Sequence, residues 1–198
     1  MRLTVFSFKG GVAKTTTALH LAAYLAERGP TLLIDGDPNL TASEWAEDGQ
    51  PSFTVCTLEQ LDPSTLVGYA HRVVDTAARP SEDELKDLVG ETDLMVLPCP
   101  PDAFALRGAM KTAQALERVG ANYKVLLTMV PPFPSRDGAE ARLLLEAEGL
   151  PLFRGEIRRA AAFTKAALAG VVARDVRGDP RASSAWADYE AIGREILS

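Results

Sequence analysis

The stretch FSFKGGVAKTTTALHLAAYL, residues 6–25, constrains this chain more than any other feature. A β-rich apolar run over residues 3–8 leads directly into a glycine pair, a lysine and three threonines. A helical apolar period follows over 15–28 and stops at Gly29-Pro30. A strand handing over to a helix through a tight turn aims backbone N–H groups at one spot, and the helix N-terminus adds positive partial charge. Gly10 and Gly11 allow close backbone approach. Lys14 supplies a point charge for β- and γ-phosphates, and Thr15 a hydroxyl for Mg²⁺. The common spacing G-x-x-x-x-G-K-[ST] nevertheless fails at both glycines, which are Phe8 and Ala13 here. Should position 13 require φ > 0, alanine costs on the order of 1 kcal/mol there.

The rest of the chain repeats the alternation. Short apolar runs at 31–35, 53–58, 70–75, 93–98 and 123–130 read as strands. Helical patterns fill 81–89, 103–118, 136–148 and 184–197. The fold class expected is α/β, a mostly parallel twisted sheet with helices on both faces. Ligands of such sheets bind at the carboxyl ends of the strands. Loops at 36–41, 76–83, 98–102 and 130–138, rich in Pro, Gly, Asp and Ser, are expected around that edge with residues 8–15. A length of 198 residues suits one domain spanning 1–198.

Charge is unevenly spread. Residues 154–181 hold seven cations (Arg154, Arg158, Arg159, Lys165, Arg174, Arg177, Arg181) against three acids. That segment is +4, leaving −10 for the remainder of a chain of net charge −6. It is the candidate contact for nucleic-acid phosphates, with a salt-bridged surface as the bland reading. Cys56 and Cys99 sit apart in apolar runs and read as reduced core thiols. No run approaches the ~20 apolar residues that span a bilayer, and the N-terminus lacks a signal-peptide pattern.

Lys9-Gly10-Gly11-Val12-Ala13-Lys14-Thr15-Thr16 resembles the deviant Walker A motif, KGGxxK[ST], of the ParA/MinD ATPases. In that family the first glycine is dispensable and the added lysine, here Lys9, reaches the partner's phosphates in a nucleotide-sandwich dimer. The resemblance implies a P-loop NTPase-like fold and a weak, partner-stimulated ATPase using ATP and Mg²⁺. LLIDGDPNLTASEW, residues 32–45, resembles the strand-end motif hhhDxDPQ. By that resemblance Asp37 orients the attacking water or a metal-bound water, and Asp35 supports the metal. Asn39 stands in place of the usual Gln. HRVVDTAARP, residues 71–80, places Asp75 as the Walker B-like acid near Mg²⁺, followed by a switch at Thr76-Ala77-Ala78. Residues 93–116 resemble the stretch that shapes the dimer face, and VLLTMVPP makes Thr128, Met129 and Pro131 candidates for holding adenine. The nucleotide set is thus Lys9 to Thr16 with Thr128, Met129 and Pro131. The metal set is Thr15, Asp35, Asp37 and Asp75, and the catalytic set is Lys9, Lys14 and Asp37.

The chain opens on its first strand, so a leading helix-turn-helix is not expected, and the wording looks most like small ParF-type partition proteins. The resemblance implies a homodimer on ATP that binds nonspecific DNA, meets a cargo-bound ParB-like adaptor, and is cytoplasmic and nucleoid-associated in the ATP state. The cargo is a plasmid or chromosome; the alternative is a protein organelle or complex. The acidic C-terminal helix argues against membrane binding of the MinD kind. Unpaired cysteines argue against a shared iron–sulfur cluster. A P-loop kinase or synthetase, or a scaffold that senses ATP without hydrolysing it, are the remaining alternatives.

Overall fold

The computed structural model describes residues 1–62, 64, 66–77 and 81–198. Six strands form one sheet: β1 (Arg2–Val5), β2 (Thr31–Gly36), β3 (Thr54–Thr57), β4 (His71–Thr76), β5 (Leu94–Cys99) and β6 (Tyr123–Leu127). Every described strand pair is parallel, in the order β3-β2-β4-β1-β5-β6. Among the described residues seven α-helices accompany it: α1 (Lys14–Ala26), α2 (Thr41–Asp48), α3 (Glu82–Gly90), α4 (Ala103–Arg118), α5 (Asp137–Ala147), α6 (Ala161–Leu168) and α7 (Ala182–Ile196).

Strand alternation sorts the core into two faces. Leu3, Val5, Leu33, Val73, Val96 and Leu126 pack with α1 and α7. Phe6, Met95, Leu97, Cys99, Val125 and Leu127 pack with α3, α4 and α5. The α/β class with helices on both faces is therefore borne out. The buried thiols of Cys56 and Cys99 are free, as expected.

Element bounds differ where local geometry intervenes. β1 stops at Val5 rather than residue 8, because the chain turns into the glycine loop, although the Phe6 amide still donates to Val96 at 2.9 Å. β6 stops at Leu127, two residues before Met129 enters the left-handed region at φ 52°. Two helices escaped the sequence reading. α2 buries only Ala42 and Trp45, too little for a helical period to show. α6 is alanine-rich and lies inside the basic segment. The expected switch at 76–78 runs into residues 78–80, which lie outside the described residues.

Residues 151–159 form a further strip beside β6: Phe153 donates to Val125, Ile157 to Leu127 and Arg159 to Val130. This strip covers the edge of β6 and delivers Arg158 and Arg159 to the carboxyl edge of the sheet. On the opposite end of that face α7 crosses α1 at Gly193, where an added Cβ would lie 2.2 Å from the buried Tyr24 ring. Gly193→Ala is expected to destabilise the fold by about 1–3 kcal/mol. Urea unfolding should show a lower midpoint with an unchanged slope; an unaltered midpoint would show that the α1–α7 contact yields freely.

Candidate nucleotide site

The carboxyl edge of β1 is where the chemistry collects. The loop from Phe6 to Ala13 joins β1 to α1, with Gly11 at φ 72° and Ala13 at φ 73°, ψ 34°. Ala13 is the N-cap of α1 in the left-handed region, so the conditional cost anticipated for alanine applies. No side chain caps this end of α1, and its first turn carries no acid. The leading N–H groups and the helix dipole therefore face the loop uncompensated, which suits an anion. Lys14 opens the helix and is 8 % exposed.

Hydroxyls from the ends of β4 and β6 hold the loop in place. Thr76 donates its hydroxyl to the Val5 carbonyl at 2.8 Å. Thr128 donates to the Val12 carbonyl at 3.1 Å. Thr128 thus braces the loop as well as lining a cavity of about 380 Å³ beside α1, shared with Ala13, Thr16, Met129, Arg159 and Phe163. Pro131 does not line that cavity, because the chain turns away at Met129 and Val130 pairs with Arg158.

The three aspartates take different roles. Asp35 and Asp75 are register partners on β2 and β4, and Val5 of β1 pairs with Asp75. Asp35 accepts from the Asp37 amide at 3.2 Å and from the Ser43 amide and hydroxyl at 2.8 and 2.9 Å. Its carboxylate is engaged in holding the start of α2. Asp37 accepts from the Asn39 amide nitrogen at 2.9 Å and side-chain nitrogen at 2.7 Å, so Asn39 steers Asp37. Asp75 is fully buried, and among the described residues neither of its oxygens has a partner within hydrogen-bond geometry, the Thr15 hydroxyl lying nearby. Burial pushes its carboxyl up to about 6; Asp35 and Asp37 act in the same sense, against Thr15 and Lys14.

Among the described residues no three His, Cys, Asp or Glu side chains converge to hold a metal. That fits Mg²⁺, which keeps several waters and uses one or two protein ligands beside substrate phosphates. A buried carboxylate with nothing to accept from is what such waters would satisfy.

Lys9 points elsewhere. Its ammonium reaches Asp102 at 3.3 Å, and its side chain runs past Gly108, where an added Cβ would sit 3.8 Å from Lys9 carbons. Asp102 also caps α4, accepting from Phe104 and Ala105. The Ala105 amide holds its carboxyl below the usual range, and Lys9 adds to this.

The CobQ/CobB/MinD/ParA nucleotide-binding domain model matches residues 3–197. This chain belongs to that family. Within it, the chain is 36% identical to Maintenance of carboxysome distribution protein A of Gloeobacter kilaueensis, over 98% of this chain and 93% of that protein. It is 28% identical to Protein ParA of Rhizobium radiobacter, over 66% of this chain and 65% of that one. Among solved structures, apo McdA of Cyanothece superposes with a TM-score of 0.75 at 18% identity, covering 100% of this chain and 99% of that one, a likeness of fold. The chain is a ParA/MinD-family ATPase with a deviant Walker loop.

Placed on this family fold, the seven cations proposed for DNA divide. Arg158 grips Asp188 at 2.6 Å, Lys165 pairs with Asp179 at 2.8 Å, and Arg174 pairs with Glu27 and Asp175. Those three are occupied within the molecule. Arg154, Arg159, Arg177 and Arg181 are exposed and have no ion pair among the described residues. Arg159 also lines the cavity beside α1, a placement that charge counting did not reveal.

Sequence reading also missed His20, which appeared as one more residue on a helical face. It is buried, donates from Nδ1 to the Thr16 carbonyl at 2.7 Å and accepts the Ala173 amide at Nε2 at 3.0 Å. Burial pushes it down to about 4, so it stays neutral with one fixed tautomer.

This geometry makes two measurable demands. Ala13→Gly is expected to raise stability by up to about 1 kcal/mol in thermal unfolding without nucleotide, since relief of the left-handed backbone outweighs the added chain entropy. A loss of stability would mean that position 13 is unstrained. Asp75 gives a pH dependence. An acid held near 6 when folded releases its proton earlier when unfolded, so stability falls as pH rises from about 4 to 6. Above that window the cost is on the order of 3 kcal/mol. Asp75→Asn should therefore gain stability over the parent at pH 7 and not at pH 4; equal differences at both would refute the buried charge.

Proposed function

We propose that residues 1–198 act as one ATPase domain that dimerises on ATP and positions a protein organelle or complex along nucleoid DNA. The relative from Gloeobacter, matched end to end at 36% identity and named for carboxysome distribution, carries this preference over plasmid partition. The placement of Lys9 supports the dimer: the side chain lies outside its own phosphate loop and half-exposed against α4.

In this reading the backbone of residues 10–16 and the ammonium of Lys14 hold the phosphates. Ala13, Thr16, Thr128, Met129 and Arg159 border the nucleoside. Magnesium, when bound, would neutralise phosphate charge, with Thr15 as a ligand and Asp75 and Asp35 acting through water. Asp37, steered by Asn39, orients the attacking water. Lys9 of each subunit leaves Asp102 and completes the partner's site, an arginine-finger task done by lysine. Two copies of the exposed Arg154, Arg159, Arg177 and Arg181 give a dimer the avidity for nonspecific DNA that one copy lacks. A cargo-bound adaptor of the ParB kind then stimulates slow intrinsic turnover, and the protein returns from nucleoid to cytoplasm. Among the described residues no helix is long and apolar enough to cross a membrane.

Plasmid or chromosome partition is the second reading, favoured by the match to Protein ParA of Rhizobium radiobacter. Both readings share the ATP cycle, which the purified protein tests. Lys14→Ala should abolish ATP binding. Lys9→Ala should retain ATP binding and lose ATP-dependent dimers in light scattering. DNA retention should need ATP and fall steeply with salt; equal retention with ADP would sink the positioning cycle.

A further inference from the structure

Phe8, one of the two residues that break the common loop pattern, lines a groove on the surface. Its ring packs edge-on to Phe6 at 5.2 Å and faces a groove of about 460 Å³ between α3 and α4. Phe8, Leu85, Ala115 and Val119 make the floor, and Lys111 and Arg118 stand on the rim. The floor is continuous with the core beneath α3 and α4. A glycine at position 8 would leave that floor open next to the phosphate loop.

The rim has a definite sign. Arg107, Lys111 and Arg118 fall on one face of α4, at spacings of four and seven residues. The sole acid on α4, Glu117, accepts from the Tyr123 hydroxyl at 2.6 Å. Neither Lys111 nor Arg118 has an ion pair among the described residues, and Arg118 donates to the Gln114 carbonyl. Glu82 on the facing rim pairs with Lys86 at 3.1 Å, a lysine it shares with Asp83, so the cationic charge lies on the α4 side alone. An apolar trough with a cationic wall along α4 that has no ion pair among the described residues calls for an apolar ligand edged with carboxylates on that side.

We propose that this groove docks an amphipathic helix of a partner protein, with aliphatic residues on its buried face and Asp or Glu on its flank. The helix-in-groove mode suits a trough between two helices. DNA is disfavoured as the occupant, because its backbone gains nothing from four apolar side chains. The occupant would touch Phe8, the residue directly before Lys9, so docking bears on the lysine that completes the partner's site. That consequence rests on the function proposed above; the docking does not, and is measured without nucleotide.

The test uses the full chain with labelled Leu, Val and Ala methyl groups. Two synthetic amphipathic helices of about 18 residues, one of Leu and Glu and one of Leu and Lys, are titrated in by NMR. The Leu–Glu helix should shift the methyls of Leu85, Ala115 and Val119 in a saturable way. Lys111→Glu with Arg118→Glu should weaken it by about tenfold and favour the Leu–Lys helix. Circular dichroism and nucleotide binding of that variant separate loss of docking from loss of fold or of the ATP site. The proposal is overturned if the acidic helix does not bind, if both helices bind the parent equally, or if the shifts map to other exposed leucines. A DNA duplex that shifts the same methyls and displaces the acidic helix would overturn it as well.

Discussion

The open N-terminus of α1 is the constraint to which the rest of this structure answers. A helix that begins without a side-chain cap leaves its leading N–H groups unsatisfied and concentrates positive potential there. A Ser or Asp can neutralise this end, as Ser81 and Asp102 do for α3 and α4; α1 shares its lack of a cap with α2, α5, α6 and α7, and differs from them in opening from a glycine loop. It starts from an alanine in the left-handed region. That strained, uncapped start is held by β1 in the middle of the sheet and by two hydroxyls that fix the loop, Thr76 from the adjacent β4 and Thr128 from the end of β6. The buried, unpartnered Asp75 adds a second uncompensated charge of opposite sign nearby. Both defects are relieved by one kind of ligand, a polyanion with a hydrated cation.

The elements around this loop are joined by direct contacts. His20, nearly two turns into α1, joins the helix to Ala173 through a fixed tautomer, and stacks on Tyr189 at 4.7 Å. Thr17 and the Tyr189 hydroxyl meet at 3.1 Å. Asp35 holds the start of α2 through Ser43, and the end of α2 abuts Gly170, where an added Cβ on Gly49 would lie 1.9 Å from the Gly170 carbonyl. Both α1 and α2 are thereby tied to the segment that bears Arg174, Arg177 and Arg181.

How much of this was legible depends on whether local pattern or tertiary contact decides. The strands and α4 were legible because their apolar periods are strong; α4 runs over Ala103–Arg118, as its periodicity implies. The phosphate loop was legible because its chemistry is contiguous. α2 was not, since it buries two side chains and is held at its start by Asp35 of the preceding strand. The fate of the cations was not legible either. Charge counting treats Arg158 and Arg174 as free, but their acids come from Asp188 and Glu27, far along the chain. Arg159 reaches the cavity beside α1 because residues 151–159 pair with β6, a pairing that no short-range signal encodes.

Lys9 shows why a weak interaction can be the useful one. Its pair with Asp102 is 3.3 Å long, with the two side chains 36% and 52% exposed, and such pairs contribute at most about 1 kcal/mol. A lysine buried and tightly paired would have to be desolvated twice to change partners, a barrier of several kcal/mol. One left free would explore many rotamers and lose up to about 2 kcal/mol of entropy when it engaged. Resting along Gly108 against Asp102, Lys9 is partly ordered yet cheap to release. Asp102 keeps its own work meanwhile, since the Phe104 and Ala105 amides remain bonded to it. In the proposed dimer a phosphate with its greater charge therefore outcompetes Asp102 for Lys9, and α4 stays capped when it does.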